Sequence, residues 1–330
     1  MARPAGKEEP AMVCHLCRAT TAKKYGRTRE GHQRYRCRTC RKTFSERPAR
    51  PLGDMRIPLE KALPILQHLC EGSCIRALSR ASGCHQATIL RLLVQVGEGC
   101  ERMLAELVRD VEVKDVQADE VWTYIRCKEK TRERRRIADP DAGDSYCFIG
   151  LERHTKMVLA FHVGRRDAWS THDFMAKLAK ATAGRLQLTT DGFGAYPDAV
   201  HYHLGARADY AMLIKDYGAV TGEEARRYAP PRLKGTERIR ISGQPEQHRV
   251  CTSHVERGNW TIRGNLRRFT RLSNGFSRKK ANLRAAVALY FAYYNLCRMH
   301  SSIRMTPAMK AGIARKPWTM AELVTAAMAA

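Results

Sequence analysis

The stretch Val116-Gln-Ala-Asp119-Glu120-Val-Trp-Thr-Tyr-Ile125 decides how the chain is to be read. It closes a longer run, residues 111–125, that is rich in Val, Trp, Tyr and Ile and reads as a strand. An ionised acid in the middle of a buried strand is expensive unless it is paired or bound to a cation. The elements that follow supply a sheet for it. Residues 146–151 and 157–163 read as two further strands joined by a turn at 152–156. A helix opens at Ser170 and ends at Gly184. Residues 186–190 form a strand that stops at Asp191-Gly192, and 211–214 suggest another. Two long helical patterns, 253–272 and 279–296, and a shorter tail close the chain. Three strands, a helix, a strand and then helices predict a mixed α/β sheet with flanking helices. The stretch 216–250, with Pro230, Pro231 and Pro245, shows no sustained period and reads as an insertion or long loop.

The chain has 330 residues and 44% hydrophobic side chains, enough to bury a sizeable core, and a net charge of +26. Residues 1–56 carry 15 Lys and Arg against 5 Asp and Glu, and residues 256–316 carry 14 against 1. Two one-sided blocks around a nearly neutral middle favour a polyanion partner, nucleic acid first. Residues 1–10 are polar, so no signal peptide is expected, and the longest apolar run, 285–296, is too short to cross a bilayer. A reducing, cytoplasmic and nucleoid-associated location without membrane contact is the expectation.

Four of the twelve cysteines form a pattern. Cys14-x2-Cys17 and Cys37-x2-Cys40 flank a 19-residue spacer, and two such knuckles complete a tetrahedron for one structural Zn²⁺. Two redox CxxC pairs are the alternative, but no thioredoxin-like βαβ pattern surrounds them. His15 and His32 stand nearby as substitute ligands. After a linker marked by Pro48, Pro51, Gly53 and Pro58, residues 75–81, a Ser82-Gly83 turn and residues 85–96 have the layout of a helix-turn-helix. Ala77, Leu78, Ile89, Leu92 and Leu93 face inward, and Gln86, Thr88 and Arg91 face a DNA groove. A helical hairpin used only for packing is the alternative.

Three acids stand out: Asp119 in its apolar strand, Asp191 at the carboxyl end of the strand 186–190, and Glu256 in Ser-His-Val-Glu-Arg-Gly-Asn-Trp. Three carboxylates suffice to hold hard cations such as Mg²⁺. Each has a plainer reading. Asp119 or Glu120 pairs with an arginine, Asp191-Gly192 is a turn, and Ser253-x-x-Glu256 is a capping box.

Taken together these motifs resemble the insertion-sequence-one family of DDE transposases, over nearly the whole chain. The resemblance rests on the CxxC ribbon, the helix-turn-helix, Asp119-Glu-Val-Trp-Thr-Tyr, Thr190-Asp191-Gly-Phe-Gly-Ala-Tyr196 and His254-Val-Glu256-Arg-Gly-Asn259. It continues through Arg267-Arg-Phe-Thr-Arg-Leu-Ser-Asn274, Tyr293-Tyr-Asn-Leu-Cys-Arg-Met-His300 and Thr306-Pro307. It implies three parts: a zinc ribbon with linker over 1–56, a helix-turn-helix domain over 57–108, and a ribonuclease-H-like catalytic domain over 109–330. It also implies that Asp119, Asp191 and Glu256 hold two Mg²⁺ ions, for which Mn²⁺ substitutes. Asn259 would be an accessory ligand, and Arg263, Arg267, Arg268 and Arg271 would contact DNA. Metal-bound water would free a 3′-OH at the element's terminal repeats, and that hydroxyl would attack target DNA without a protein-linked intermediate. Double-stranded DNA and further copies of the chain would be the partners. In the best-known members the ribbon and helix-turn-helix are encoded in a separate frame, whereas here one chain carries everything. The rival readings are a non-catalytic DNA-binding regulator and a structure-selective nuclease on the same fold.

Overall fold

The computed structural model describes residues 12–14, 16–29, 31–45, 51–218, 233–271 and 273–330. The chain divides into two compact units, Met1–Arg56 and Ile57–Ala330. The helices expected as a domain of their own over 57–108 therefore share a unit with the sheet.

The first unit is a small antiparallel sheet, β1 (Ala22–Arg27), β2 (Gln33–Cys37) and β3 (Thr43–Ser45), in the order β1-β2-β3. Five of the six β1 residues are exposed. Tyr35 stacks on Phe44 at 5.7 Å, which leaves little apolar material to hold the sheet together.

The second unit opens with three helices, α1 (Leu59–Cys70), α2 (Ile75–Ser82) and α3 (Gln86–Leu107). Gly83 ends α2 in the left-handed region at φ 67°, the conformation glycine adopts at least cost. Then come β4 (Val111–Glu112), β5 (Asp115–Ile125), α4 (Glu129–Arg134), β6 (Gly143–Glu152) and β7 (Val158–Gly164). These lead to α5 (Ala168–Ala181), β8 (Thr182–Ala183), β9 (Leu186–Thr190), α6 (Tyr196–His203), β10 (Ala208–Tyr217) and β11 (Leu233–Ser242). The chain ends with α7 (Ser253–Asn265), α8 (Lys280–Leu296), α9 (Pro307–Lys310) and α10 (Met320–Ala329).

Six strands make one mixed sheet in the order β11-β10-β9-β5-β6-β7. Strands β5, β6 and β7 form an antiparallel meander, β9 and β10 run parallel to β5, and β11 returns antiparallel at the edge. The two faces are covered differently. Phe174 and Leu178 of α5 press on Gly150, whose missing side chain lets them approach. On the other face Ile149 and Leu151 meet Val255 and Ile262 of α7 and Tyr290 and Phe291 of α8. The buried Asn295 of α8 closes on the start of β7, accepting from Val158 N at 3.1 Å and donating to Val158 O at 2.8 Å.

Three expectations need correction. Residues 216–250 are not simply a loop: their described part includes the end of β10 and all of β11. Nine of the ten β11 residues are exposed, so the strand has no buried face to impose a period-two pattern. The helix expected over 253–272 stops at Asn265, because Leu266 is extended and a 3₁₀ turn, Arg267–Phe269, buries Phe269. The short helices α4 and α6 went unread, being too short to display helical periodicity. Among the described residues no helix is long and apolar enough to cross a membrane.

Helix α3 runs on past its exposed first turns into the core, burying Val96, Cys100, Met103 and Leu104. Two glycines allow the close approach. A Cβ on Gly97 would lie 2.3 Å from Ala285 O of α8, and one on Gly99 would lie 2.1 Å from Ala327 O of α10. Gly97→Ala is therefore expected to cost about 1–3 kcal/mol in urea unfolding. Gly264→Ala on α7, where nothing lies within 4 Å, should be neutral or stabilising. Equal midpoints for the two variants would contradict this packing.

Candidate functional site

The four cysteines of the first unit converge. Cys14 Sγ lies 3.8 Å from Cys40 Sγ, and Cys17 Sγ lies 3.5 Å from Cys37 Sγ. All four sulfurs lie within 4.8 Å of one another. The pairs are well beyond the disulfide bond length of about 2 Å, and the cysteines are free. The knuckles are alike: each is followed by an arginine in the left-handed region, Arg18 at φ 58° and Arg41 at φ 59°. The Cys40 amide facing Cys37 Sγ draws the Cys37 thiol down to about 6. Although the Ala19 amide lowers it, burial and the neighbouring thiols push Cys17 up to about 12. Four thiolates this close repel one another without a cation, so the cluster is compatible with a zinc site. His15 lies outside the described residues. Elemental analysis should find one zinc per chain, lost in Cys37→Ser. Stripping the ion should abolish hydrogen-exchange protection in Ala22–Ser45, since such an ion supplies most of the folding free energy of a small ribbon. Unchanged protection after the ion is removed would overturn that expectation.

The second cluster lies where β5 and β9 run side by side. Their parallel register pairs Val116 with Leu188 and Gln117 with Thr189, so two residues further on Asp119 stands beside Asp191. Adjacent residues of a strand point to opposite faces. Asp119, opposite Ile149, faces α7; Glu120, opposite Phe148, faces α5. One carboxylate oxygen from each of Asp119, Glu120 and Asp191 lies within 4.8 Å of the others.

Each acid has defined partners. Asp119 accepts from the Glu120 amide at 2.8 Å and from Asn259 Nδ2 at 2.7 Å. Arg166, just after β7, bridges Glu120 (3.2 Å) and Asp191 (3.1 Å) and lies 4.1 Å above the Phe193 ring. Asp191 Oδ1 also closes a turn onto Phe193 N at 3.0 Å. Glu256 accepts from Lys215 Nζ and from Thr252 Oγ1. These carboxylates, with Asn259, Trp260 and Arg263, line one open cleft of about 480 Å³.

Negative charge exceeds what these partners neutralise. Burial, then the charges of Glu120 and Asp191, push the Asp119 carboxyl up to about 7. Burial, then Asp191, push Glu120 up to about 7. Glu120 Oε1 is buried without a hydrogen-bond partner, as is Asn259 Oδ1. A divalent cation among Asp119, Glu120 and Asp191 would relieve both the repulsion and the orphaned oxygens, so the donor set fits a hard metal.

Of the three acids singled out in the sequence, Asp119 and Asp191 enter the close set. Glu256 lines the same cleft but is held by Lys215, and Glu120 takes the third place. The capping box at Ser253 is absent: Thr252 is the N-cap, with no side-chain cap bond. The buried Gln117 of β5 does that work instead, accepting from His254 N at 3.0 Å and Val255 N at 3.1 Å. Sequence reasoning missed Arg166, Lys215 and Gln117 as partners. Two consecutive acids in an apolar strand were the available sign of Glu120.

Gln86 and Arg91 are exposed at the start of α3, and Thr88 is half-buried. Arg267 and Arg271 are exposed. Arg268 turns inward, donating to Ser277 Oγ at 2.9 Å, and burial lowers its guanidinium to about 10, so it is not a free surface cation. Arg263 reaches into the cleft, where its Nε is buried without a partner.

A scan against protein-family models gave no match. No curated protein sequence matches the chain.

The raised carboxyls set a pH dependence. An unfolded chain releases these protons near 3.8 and 4.5, whereas the folded protein holds them to about 7. The folded state therefore binds more protons across that window, and its stability falls as pH rises through it. Thermal melts without added divalent cation should show this decline between about pH 4 and pH 7, flattened in Glu120→Gln. Parallel curves for the two proteins would rule the titration out.

Proposed function

We propose that the chain is a DNA transposase of the DDE type. Its second unit would be a ribonuclease-H-like catalytic domain and its first a zinc ribbon that contacts DNA. One observation carries the reading: Asp119, Glu120 and Asp191 converge at the carboxyl edge of β9, with Glu256 on the same cleft wall. An antiparallel meander followed by parallel strands, with α7 laid across them, supports the ribonuclease-H-like expectation. Two Mg²⁺ ions held there would activate water and stabilise the departing oxygen in an in-line attack on a phosphodiester. Asp119, Asp191 and either Glu120 or Glu256 would be ligands. Asn259 orients the Asp119 carboxylate by donating to it. Arg263 would meet a phosphate at the cleft wall, while Gln86, Thr88 and Arg91 would read base edges of the terminal repeats. Arg267 and Arg271 would hold backbone phosphates, giving salt-dependent affinity. Cutting two ends together calls for at least two copies on DNA.

A second reading draws on the ion pairs. Arg166 holds Glu120 and Asp191, and Lys215 holds Glu256, so three of the four acids already have a cationic partner. A DNA-binding regulator would need nothing more.

A labelled duplex carrying the DNA that flanks the coding sequence separates the two. With Mg²⁺, nicking and strand joining are expected. Asp191→Asn should lower both by on the order of a thousand-fold, the scale of several kcal/mol of lost charge stabilisation, while binding persists. Cutting of branched DNA without joining would indicate a nuclease. Tight binding without cutting under any divalent metal would indicate the regulator.

A further inference from the structure

Helix α7 has two polar sides. Glu256, Asn259, Trp260 and Arg263 turn toward the acidic cleft, whereas His254, Arg257 and Thr261 turn the other way, the separation expected of residues three and four apart. On that second side lies another cavity of about 480 Å³. Its polar lining comes from three places: Lys156 from the turn between β6 and β7, His254 and Arg257 from α7, and Arg298, His300 and Ser302 from the segment after α8. The last three fall in and just after the Tyr293–His300 motif, to which the acidic cleft gives no role.

The charge here is one-sided. Three cations and two histidines line the cavity, and no acidic residue does. Among the described residues, Lys156, Arg257 and Arg298 form no ion pair; Lys156 Nζ is held instead by His254 Nδ1 at 3.1 Å and Arg153 O at 2.5 Å. Arg298 Nη1 is buried and donates no hydrogen bond. A buried guanidinium donor left unmade is costly, and an anionic acceptor in this cavity would satisfy it. Burial, with Lys156 and Arg298 beside it, also holds the His300 imidazole below its usual range. His300 Nδ1 lies 3.0 Å from Ser302 Oγ, which aligns a hydroxyl at the rim.

We propose that this basic pocket binds a phosphate group, its oxygens taken by Arg298, Arg257 and Lys156 with Ser302 at the mouth. Three cations drawn from three segments suit a multiply charged phosphate better than a singly charged carboxylate, and guanidinium forks take phosphate oxygens bidentately. The phosphate comes either from a nucleic-acid strand or from a free phosphorylated molecule. The proposal does not rest on metal chemistry in the acidic cleft.

The test uses the full chain. Inorganic phosphate, titrated against chloride at matched ionic strength, should raise the thermal midpoint with a saturable dependence. Arg257→Gln, at an exposed position, and Lys156→Gln should each weaken that response at least about tenfold in apparent affinity, the scale of one charge-assisted contact. Arg298→Gln should abolish it. Arg284→Gln, whose partner is Glu101 elsewhere, should keep it, and so should Asp191→Asn, which separates this site from the acidic cleft. Competition then identifies the source. Displacement of phosphate by a 5′-phosphorylated oligonucleotide alone assigns a strand end. Equal displacement by its unphosphorylated form assigns the backbone, and no displacement by either assigns a free phosphate. The absence of a saturable response in the wild type, or an identical response in Arg257→Gln and Lys156→Gln, would overturn the proposal.

Discussion

A buried glutamine ties the second unit together. Gln117 sits in the central strand, fully buried, two residues before Asp119 on the same face of the sheet. Its carbonyl oxygen takes two amides from the start of α7, and its own amide donates to Cys251 Sγ at 3.4 Å. A helix start pressed onto a sheet would otherwise bury unpaired N–H groups. This one contact sets where α7 begins and which residues its two sides present. The acidic cleft and the basic pocket both inherit their geometry from it.

The acidic cleft is a balance of opposing charges rather than a simple cage. Four carboxylates line it, and burial raises the cost of ionising two of them, Asp119 and Glu120. Arg166 and Lys215 compensate part of that charge, and the remainder shows in the Asp119 and Glu120 carboxyls being held up to about 7. On the proposed function a divalent cation would take up that remainder, and Arg166 would share Asp191 with it. On the far side of α7, Lys156, Arg257 and Arg298 gather with no acidic side chain among them. One helix thus separates a surplus of negative charge from a surplus of positive charge.

Much of the architecture was legible in the residues. The apolar run around Asp119, the strand that stops at Asp191-Gly192 and the two CxxC knuckles depend on local composition and spacing, which a linear reading captures. The edge strand β11 was not legible, because exposure on both faces removes the alternation that marks a strand. The end of α7 was also hidden: the turn at Arg267–Phe269 follows from where Phe269 finds a buried seat, and no local signal announces it.

For the site, residue chemistry alone brought out Asp119, Asp191 and Glu256 as candidates and marked four cysteines as one cluster, which the structure brings together. An acid in an apolar strand and a paired knuckle both stand out locally, because each is costly without a partner. Tertiary structure alone decided that Glu120 joins Asp119 and Asp191 while Glu256 is held by Lys215, and that Arg166 bridges where no sequence spacing suggested it. It also turned Arg268 inward and gathered Lys156, Arg257 and Arg298 into a pocket. The physical reason is the same throughout: pairing between side chains distant in sequence depends on strand register and helix docking, and these are set by burial across the whole unit.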